Sequence, residues 1–151
     1  MKKLTIILAC MLLSSVAYTQ ILRPAKWTFS ASAVKGKPGL YELHMIATLD
    51  KTWKIYSTAT PDGGPLPTSI HFDKNPSVLL GGKVKEVGEL HKVHDEGFDV
   101  DVLYYEGKVD FVQVLKVKKP GATVSGRVEF MVCDPTRCLP PDEVKFKILL
   151  K

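Results

Sequence analysis

The chain has 151 residues, of which 45% are hydrophobic and 25% are charged, and its formal net charge is +5. This length suits one ordinary domain, and this composition excludes a largely disordered chain. The lysines are scattered and are not interleaved with aromatic residues, so nucleic-acid binding is disfavoured.

The N-terminus has the pattern of a secretory signal peptide. Lys2 and Lys3 precede an apolar run over residues 4–13, and small or weakly polar residues follow. The run is shorter than the ~20 apolar residues that span a bilayer. We therefore predict a signal peptide over residues 1–19 and a single mature domain over residues 20–151, secreted across the inner membrane into the periplasm.

A lipoprotein signal centred on Cys10 is the alternative interpretation of this segment. Leu8 is bulky for that motif, and the apolar run continues past the cysteine, so lipidation of Cys10 is disfavoured. Removal of the signal peptide takes Cys10 away and leaves two cysteines in the mature domain.

Beyond the signal, the apolar residues alternate with period two, which predicts β-strands and almost no helix. In the segment 40–49, for example, Leu43, Met45 and Ala47 share one face, and Glu42 lies on the other. The predicted strands cover, in chain order, residues 26–34, 40–49, 53–57, 68–72, 83–87, 103–105, 109–117, 123–132 and 143–150.

Turn signals rich in glycine, proline, asparagine and aspartate separate these strands. They are Lys37-Pro38-Gly39, residues 61–65, Asn75-Pro76, Gly81-Gly82, Glu106-Gly107 and Pro120-Gly121. Short strands at this spacing predict an all-β fold, an immunoglobulin-like antiparallel β-sandwich.

Both cysteines of the mature domain lie in the segment MVCDPTRCLPP, residues 131–141, between the two most regular predicted strands. In an exported protein, two cysteines this close on a turn can reach the Cα separation that a disulfide requires. We therefore predict a bond between Cys133 and Cys138.

Such a bond either has a structural role, in which it stabilises a loop, or exchanges with other thiols. Three features favour exchange over a structural role. A six-residue loop gains only ~2 kcal/mol from closure. Pro140 and Pro141 hold the pair rigidly between two strands. Arg137 favours a thiolate at the adjacent Cys138, although Asp134 acts in the opposite sense beside Cys133.

A metal site would need two ligands besides the cysteines. His91 and His94 are the closest pair of histidines in the sequence. Residues three apart in a strand point to opposite faces, so we expect no metal here.

The segment 133–141 resembles the active-site segment of the N-terminal periplasmic domain of the thiol:disulfide interchange protein DsbD, in which two nearby cysteines precede Pro-Pro. The segments 39–49, 53–57, 66–70 and 104–109 resemble the same family in the same order. The resemblance covers nearly the whole predicted mature domain.

The resemblance implies a domain that passes reducing equivalents, without a cofactor or metal, from a thioredoxin-like protein or a membrane thiol-disulfide transporter to exported disulfide-containing clients. In that family the second cysteine forms the mixed disulfides, which corresponds to Cys138, and Cys133 then resolves them. The full-length family protein continues into membrane and thioredoxin-like domains that this sequence lacks, so we expect separate proteins to supply the electrons.

The family also shields its cysteines with an aromatic cap loop, which corresponds to residues 95–106. Tyr104 is the nearest match to the cap aromatic, and Phe98 and Tyr105 are the substitutes. Glu106 interrupts the family's Tyr-Gly-Lys stretch, and the cysteines are one residue closer than in the best-known member, so we expect the cap and loop geometry to differ from the family's.

Trp53 and Tyr56 are candidates for the wall of the cysteine site, with packing in the sandwich core as the alternative. Two other functions also remain open. One is a non-enzymatic binding module whose disulfide is structural. The other is a chaperone-like domain that recognises a thioredoxin fold without turnover.

Overall fold

The computed structural model describes residues 22–97 and 99–151. The predicted signal peptide over residues 1–19 and the cap candidate Phe98 lie outside these described residues. Within them there is no helix of the length and hydropathy needed to cross a bilayer. The strands are β1 (Ala25–Ala33), β2 (Leu40–Leu49), β3 (Lys54–Tyr56), β4 (Ser69–Phe72), β5 (Val78–Asp95), β6 (Val100–Val117), β7 (Thr123–Phe130), β8 (Val132–Cys133) and β9 (Asp142–Leu149).

The strands form two antiparallel sheets. The larger has six strands in the order β1-β2-β6-β3-β8, with β5 paired along the other edge of β6. The smaller has three strands in the order β4-β7-β9. The prediction of an all-β, immunoglobulin-like antiparallel sandwich is confirmed.

Alternation along the strands builds the core between the sheets. Leu43, Met45 and Ala47 of β2 are fully buried, and Val128 and Phe130 of β7 face them from the smaller sheet. Each large apolar side chain that is fully buried stabilises the fold by roughly 1.5–3 kcal/mol, so this alternation carries most of the stability.

Two predicted turns are wrong. Gly81-Gly82 lies inside β5 and Glu106-Gly107 lies inside β6, so the predicted strands 103–105 and 109–117 are one continuous strand. Gly82 and Gly107 have φ values of +74° and +65°, and the β5–β6 register shifts near both places. A glycine at positive φ forms a bulge in a long strand as readily as it reverses the chain.

The chain changes sheets just before the first cysteine. β7 ends at Phe130, two residues earlier than the predicted strand, and belongs to the smaller sheet. Met131 carries the chain across, and Val132 then pairs with Ile55 of β3 in the larger sheet. The cysteine segment therefore lies where the chain crosses from one sheet to the other.

Candidate functional site

The two cysteines form a disulfide that closes a tight hairpin. Cys133 and Cys138 are directly opposed across an antiparallel bridge, with Cα atoms 4.0 Å apart. The two residues form a non-hydrogen-bonded pair, the kind in which opposed Cα atoms come closest, at about 4.5 Å. Backbone hydrogen bonds flank the pair on both sides: Asp134 N to Arg137 O at 2.9 Å and Leu139 N to Val132 O at 2.9 Å.

Asp134 organises the turn of this hairpin. Its Oδ1 accepts hydrogen bonds from the Thr136 N–H at 2.7 Å, the Thr136 hydroxyl at 2.6 Å and the Arg137 N–H at 2.9 Å. The hydrogen bonds from Thr136 chiefly hold the pKa of the Asp134 carboxyl below its usual value. The turn is therefore fixed by its own side chains.

Arg137 points its charge at this turn. Its Nε lies 3.6 Å from Oδ2 of Asp134, and 62% of its side chain is exposed. The carboxylate offsets part of the positive charge beside Cys138. The local pair therefore supplies less thiolate stabilisation than an isolated arginine would.

The two cysteines differ sharply in exposure. Cys138 is exposed, whereas Cys133 is only 4% accessible. Cys133 packs in a cluster with the buried residues Tyr56 and Val102, and this cluster is completed by the partly buried Val100, Tyr104 and Met131. An external thiol can therefore reach Cys138 more easily than Cys133.

Tyr56 and Tyr104 form one wall of the Cys133 cluster. They are directly opposed between β3 and β6, so their side chains share a face of the sheet. Burial, with smaller contributions from Asp95 and Tyr104, raises the pKa of Tyr56 to about 12. The Tyr104 ring stacks on His91 with centroids 5.2 Å apart.

Tyr105 and Trp53 pack on the other face, in the main core. The Tyr105 hydroxyl donates a 2.7 Å hydrogen bond to Glu86, and burial together with this carboxylate raises the pKa of Tyr105. Trp53 is 7% accessible. The structure thus brings Tyr56 and Tyr104 to the cysteines and places Tyr105 and Trp53 in the main core instead.

Pro140 and Pro141 connect the hairpin to β9, and both are exposed. Their rings restrict φ, which limits how the chain can leave Cys138. They line a groove of about 360 Å³ together with Val132, Leu139 and the segment 22–25.

The histidines engage separate neighbours. His91 stacks on Tyr104, whereas His94 lies within 3.4 Å of Asp99 and 3.2 Å of Asp101. Among residues 22–97 and 99–151, no three histidine, cysteine, aspartate or glutamate side chains are grouped so as to hold a metal ion.

Sequence reasoning missed two charged residues near the site. Lys54 alternates with Tyr56 along β3, a pattern that could have placed both on one face. Glu86 accepts hydrogen bonds from the segment after β3, and no local signal in the sequence indicates this.

Solved structures share this fold. The N-terminal domain of DsbD from Neisseria meningitidis, in the reduced form, is 17% identical, with a TM-score of 0.55 over 85% of this chain and 90% of that chain. The N-terminal periplasmic domain of ScsB from Proteus mirabilis is 16% identical, with a TM-score of 0.52 over 82% of this chain and 49% of that chain.

A third structure is the complex between the DsbD N-terminal and PilB N-terminal domains from Neisseria meningitidis. It is 13% identical, with a TM-score of 0.50 over 85% of this chain and 87% of that chain. The curated proteins contain no match to the sequence.

The family described as the N-terminal part of the thiol:disulfide interchange protein DsbD matches residues 19–150. The match spans all the described strands and includes the hairpin with its disulfide. The chain therefore belongs to the family of DsbD N-terminal domains.

Proposed function

We propose that this protein is a periplasmic thiol-disulfide exchange domain that carries reducing equivalents between a thioredoxin-like protein and exported clients. The observation that carries the proposal is a disulfide with one exposed and one buried cysteine, Cys138 and Cys133, at the end of a hairpin. Membership of the DsbD N-terminal family supports exchange chemistry in general.

The exposure difference supports separate roles for the two sulfurs. In the reduced domain, the Cys138 thiolate attacks a client disulfide, and one client sulfur leaves as a thiolate. Cys133 then loses its proton and attacks Cys138, so the client receives two electrons and the Cys133–Cys138 bond re-forms. The Cys133–Cys138 disulfide is reduced again by the reverse steps, in which a partner dithiol is the reductant and is oxidised to a disulfide.

The hairpin geometry supports this cycle. The Cys133–Cys138 pair stays aligned by backbone hydrogen bonds on both sides. Tyr56 and Tyr104 wall off Cys133 and keep external thiols from it. The exchange needs no organic cofactor or metal, because sulfur atoms alone accept and donate the electrons.

A thioredoxin-like protein is the proposed electron donor, and a membrane thiol-disulfide transporter is the alternative donor. The complex of the Neisseria DsbD N-terminal domain with the PilB N-terminal domain supports docking of a second protein by this fold. The exposed Cys138 and the open groove beside Pro140 and Pro141 leave room for such a partner.

We propose that residues 1–19 are a signal peptide and that the mature domain acts in the periplasm. The family match begins at residue 19, within one residue of the proposed start of the mature domain at residue 20. A similar solved structure, from ScsB, is described as a periplasmic domain.

Mixed-disulfide trapping tests the proposal. Cys133→Ala removes the resolving sulfur, so an adduct of Cys138 with a thioredoxin-like protein should accumulate. Cys138→Ala should trap far less, because its remaining sulfur is buried. Non-reducing electrophoresis and mass spectrometry of the adduct identify the partner and the linked cysteine.

The two variants serve as matched controls, since each lacks the disulfide and loses the same closure of a six-residue loop. Cys133→Ala also truncates a buried side chain, so its unfolding midpoint in urea should be the lower of the two, and both midpoints should show a folded domain. Equal trapping by both variants would contradict the assigned roles, and trapping by neither would contradict exchange itself.

A further inference from the structure

We propose that Lys54 is a further functional residue of this site: its ammonium group stabilises the Cys133 thiolate that leaves when a thiolate attacks Cys138. The proposal rests on the exchange function above and adds a charged group to it.

The strand register places Lys54 beside the buried cysteine. Lys54 is the direct partner of Cys133 between β3 and β8. Directly opposed residues have Cβ atoms roughly 5 Å apart and project to the same face of the sheet. The Lys54 side chain therefore starts within reach of the Cys133 sulfur.

Tyr104 holds the ammonium group on this face. The Nζ atom of Lys54 lies 4.3 Å from the centroid of the Tyr104 ring, a cation–π contact. The same ring packs in the Cys133 cluster and stacks on His91. Lys54 is thereby directed toward the cluster by a ring that is itself supported.

The other charges near the hairpin are arranged differently. Arg137 is paired with Asp134, which offsets its charge. Glu106 is opposite Lys54 on β6 and is exposed, so solvent screens its charge. Asp95 acts on Tyr56, whose raised pKa of about 12 keeps that hydroxyl neutral at physiological pH.

A positive charge at this point favours the exchange step. When a partner thiolate attacks the Cys138 sulfur, a new disulfide forms and the Cys133–Cys138 bond breaks. The electron pair of that bond moves to the Cys133 sulfur, which becomes a thiolate. Stabilising this leaving group lowers the barrier, because exchange is faster when the leaving thiolate is more stable.

The test compares Lys54→Gln with Lys54→Arg and with Lys116→Gln. Gln keeps much of the stem and removes the charge, whereas Arg keeps the charge. Lys116 is an exposed lysine of the same sheet, ten positions along β6 from the partner of Lys54 and thus roughly 30 Å away. Urea unfolding confirms that each variant folds.

The first readout is the rate constant for reduction of the oxidised domain by dithiothreitol at fixed pH and salt. A unit charge at contact distance in water contributes about 1 kcal/mol, so Lys54→Gln should slow reduction about fivefold. The reduction rate constants of Lys54→Arg and Lys116→Gln should each stay within about twofold of that of the unmodified domain. Lys54→Arg keeps the positive charge, and the charge that Lys116→Gln removes is distant and screened by salt.

The second readout isolates Cys133. In a Cys138→Ala background, the thiolate absorbance at 240 nm reports the ionised fraction of Cys133 against pH. Lys54→Gln should lower that fraction about fivefold at a pH below the midpoint. In a Cys133→Ala background, the same substitution should change the ionised fraction of Cys138 by less than about twofold.

An unchanged reduction rate and an unchanged Cys133 titration in Lys54→Gln would overturn this proposal while leaving exchange intact. Equal effects of Lys54→Gln and Lys116→Gln would also overturn it, because the charge would then act nonspecifically. Failure of both trapping variants would instead refute the exchange function, and the Cys133 titration would still decide whether Lys54 stabilises its thiolate.

Discussion

Glu86 is predicted to anchor the segment that follows β3, next to the wall of the cysteine site. Its carboxylate accepts hydrogen bonds from the hydroxyls of Ser57 and Tyr105 at 2.7 Å each. It also accepts bonds from the Thr58 N–H and hydroxyl at 2.7 and 2.5 Å. Ser57 directly follows Tyr56, so this network fixes the backbone behind Cys133.

Glu86→Ala removes the acceptor from all these donors. Thr58 is exposed and can bond to water, but Ser57 and Tyr105 are 1% and 3% accessible, and their hydroxyl hydrogens lose their acceptor. The Ser57 oxygen still accepts the Ala59 N–H at 3.0 Å. Each buried unsatisfied hydroxyl costs ~1–3 kcal/mol, and the loss is reduced because the carboxylate no longer has to be desolvated. We expect Glu86→Ala to lower the free energy of unfolding by about 3 kcal/mol.

Equilibrium urea unfolding, followed by tryptophan fluorescence, measures this loss. Glu89→Ala is the matched control, since Glu89 is an exposed residue of the same strand and should change stability by less than about 0.5 kcal/mol. Tyr105→Phe removes one donor, so Glu86→Ala should cost about 1 kcal/mol less in that background. Equal costs for Glu86→Ala and Glu89→Ala would refute the anchoring role.

Three further predictions concern the sheet, the disulfide and pH. Gly126→Ala would drive a Cβ into the carbonyl oxygen of His71 in the smaller sheet. Urea unfolding should therefore show that the free energy of unfolding of the domain falls by more than about 2 kcal/mol, and a decrease under about 0.5 kcal/mol would contradict this. Reduction of the disulfide should cost only about 2 kcal/mol, so circular dichroism of the reduced domain should remain that of a folded β protein. The raised pKa of Tyr56 stabilises the fold below pH 10, and this contribution is lost as the pH rises toward about 12. Tyr56→Phe cannot ionise at this position, so the free energy of unfolding of the unmodified domain should fall relative to that of Tyr56→Phe as the pH rises from 10 to about 12, and parallel pH profiles would contradict this.

Local patterns in the sequence were sufficient for the fold class and most strands. The segment 40–49 is a strand with those bounds. Its apolar and polar residues alternate, which is the pattern of a strand with one buried face and one face toward solvent. The disulfide was also predictable, since both cysteines lie in one short segment and the bond is closed by local geometry.

Long-range pairing was not predictable in the same way. Gly81-Gly82 and Glu106-Gly107 both resemble turns in the sequence, because a glycine at positive φ has the same sequence signature in a bulge and in a chain reversal. The partnership of Lys54 with Cys133 joins positions far apart in sequence, so it depends on register rather than on a motif. Tyr104 and Tyr105 show what is local and what is long-range. Alternation along the strand predicts that they lie on opposite faces, but only the packed sheets show which face holds the cysteines.

The reduction potential of the Cys133–Cys138 pair tests the central claim most directly. The domain is equilibrated in glutathione or dithiothreitol buffers of known potential, and the reduced fraction is measured by alkylation and mass spectrometry. An exchanging pair should have a potential above about −300 mV, within reach of thioredoxin-like donors. A potential below about −300 mV would show that the bond is structural and would favour a binding module in place of a redox domain.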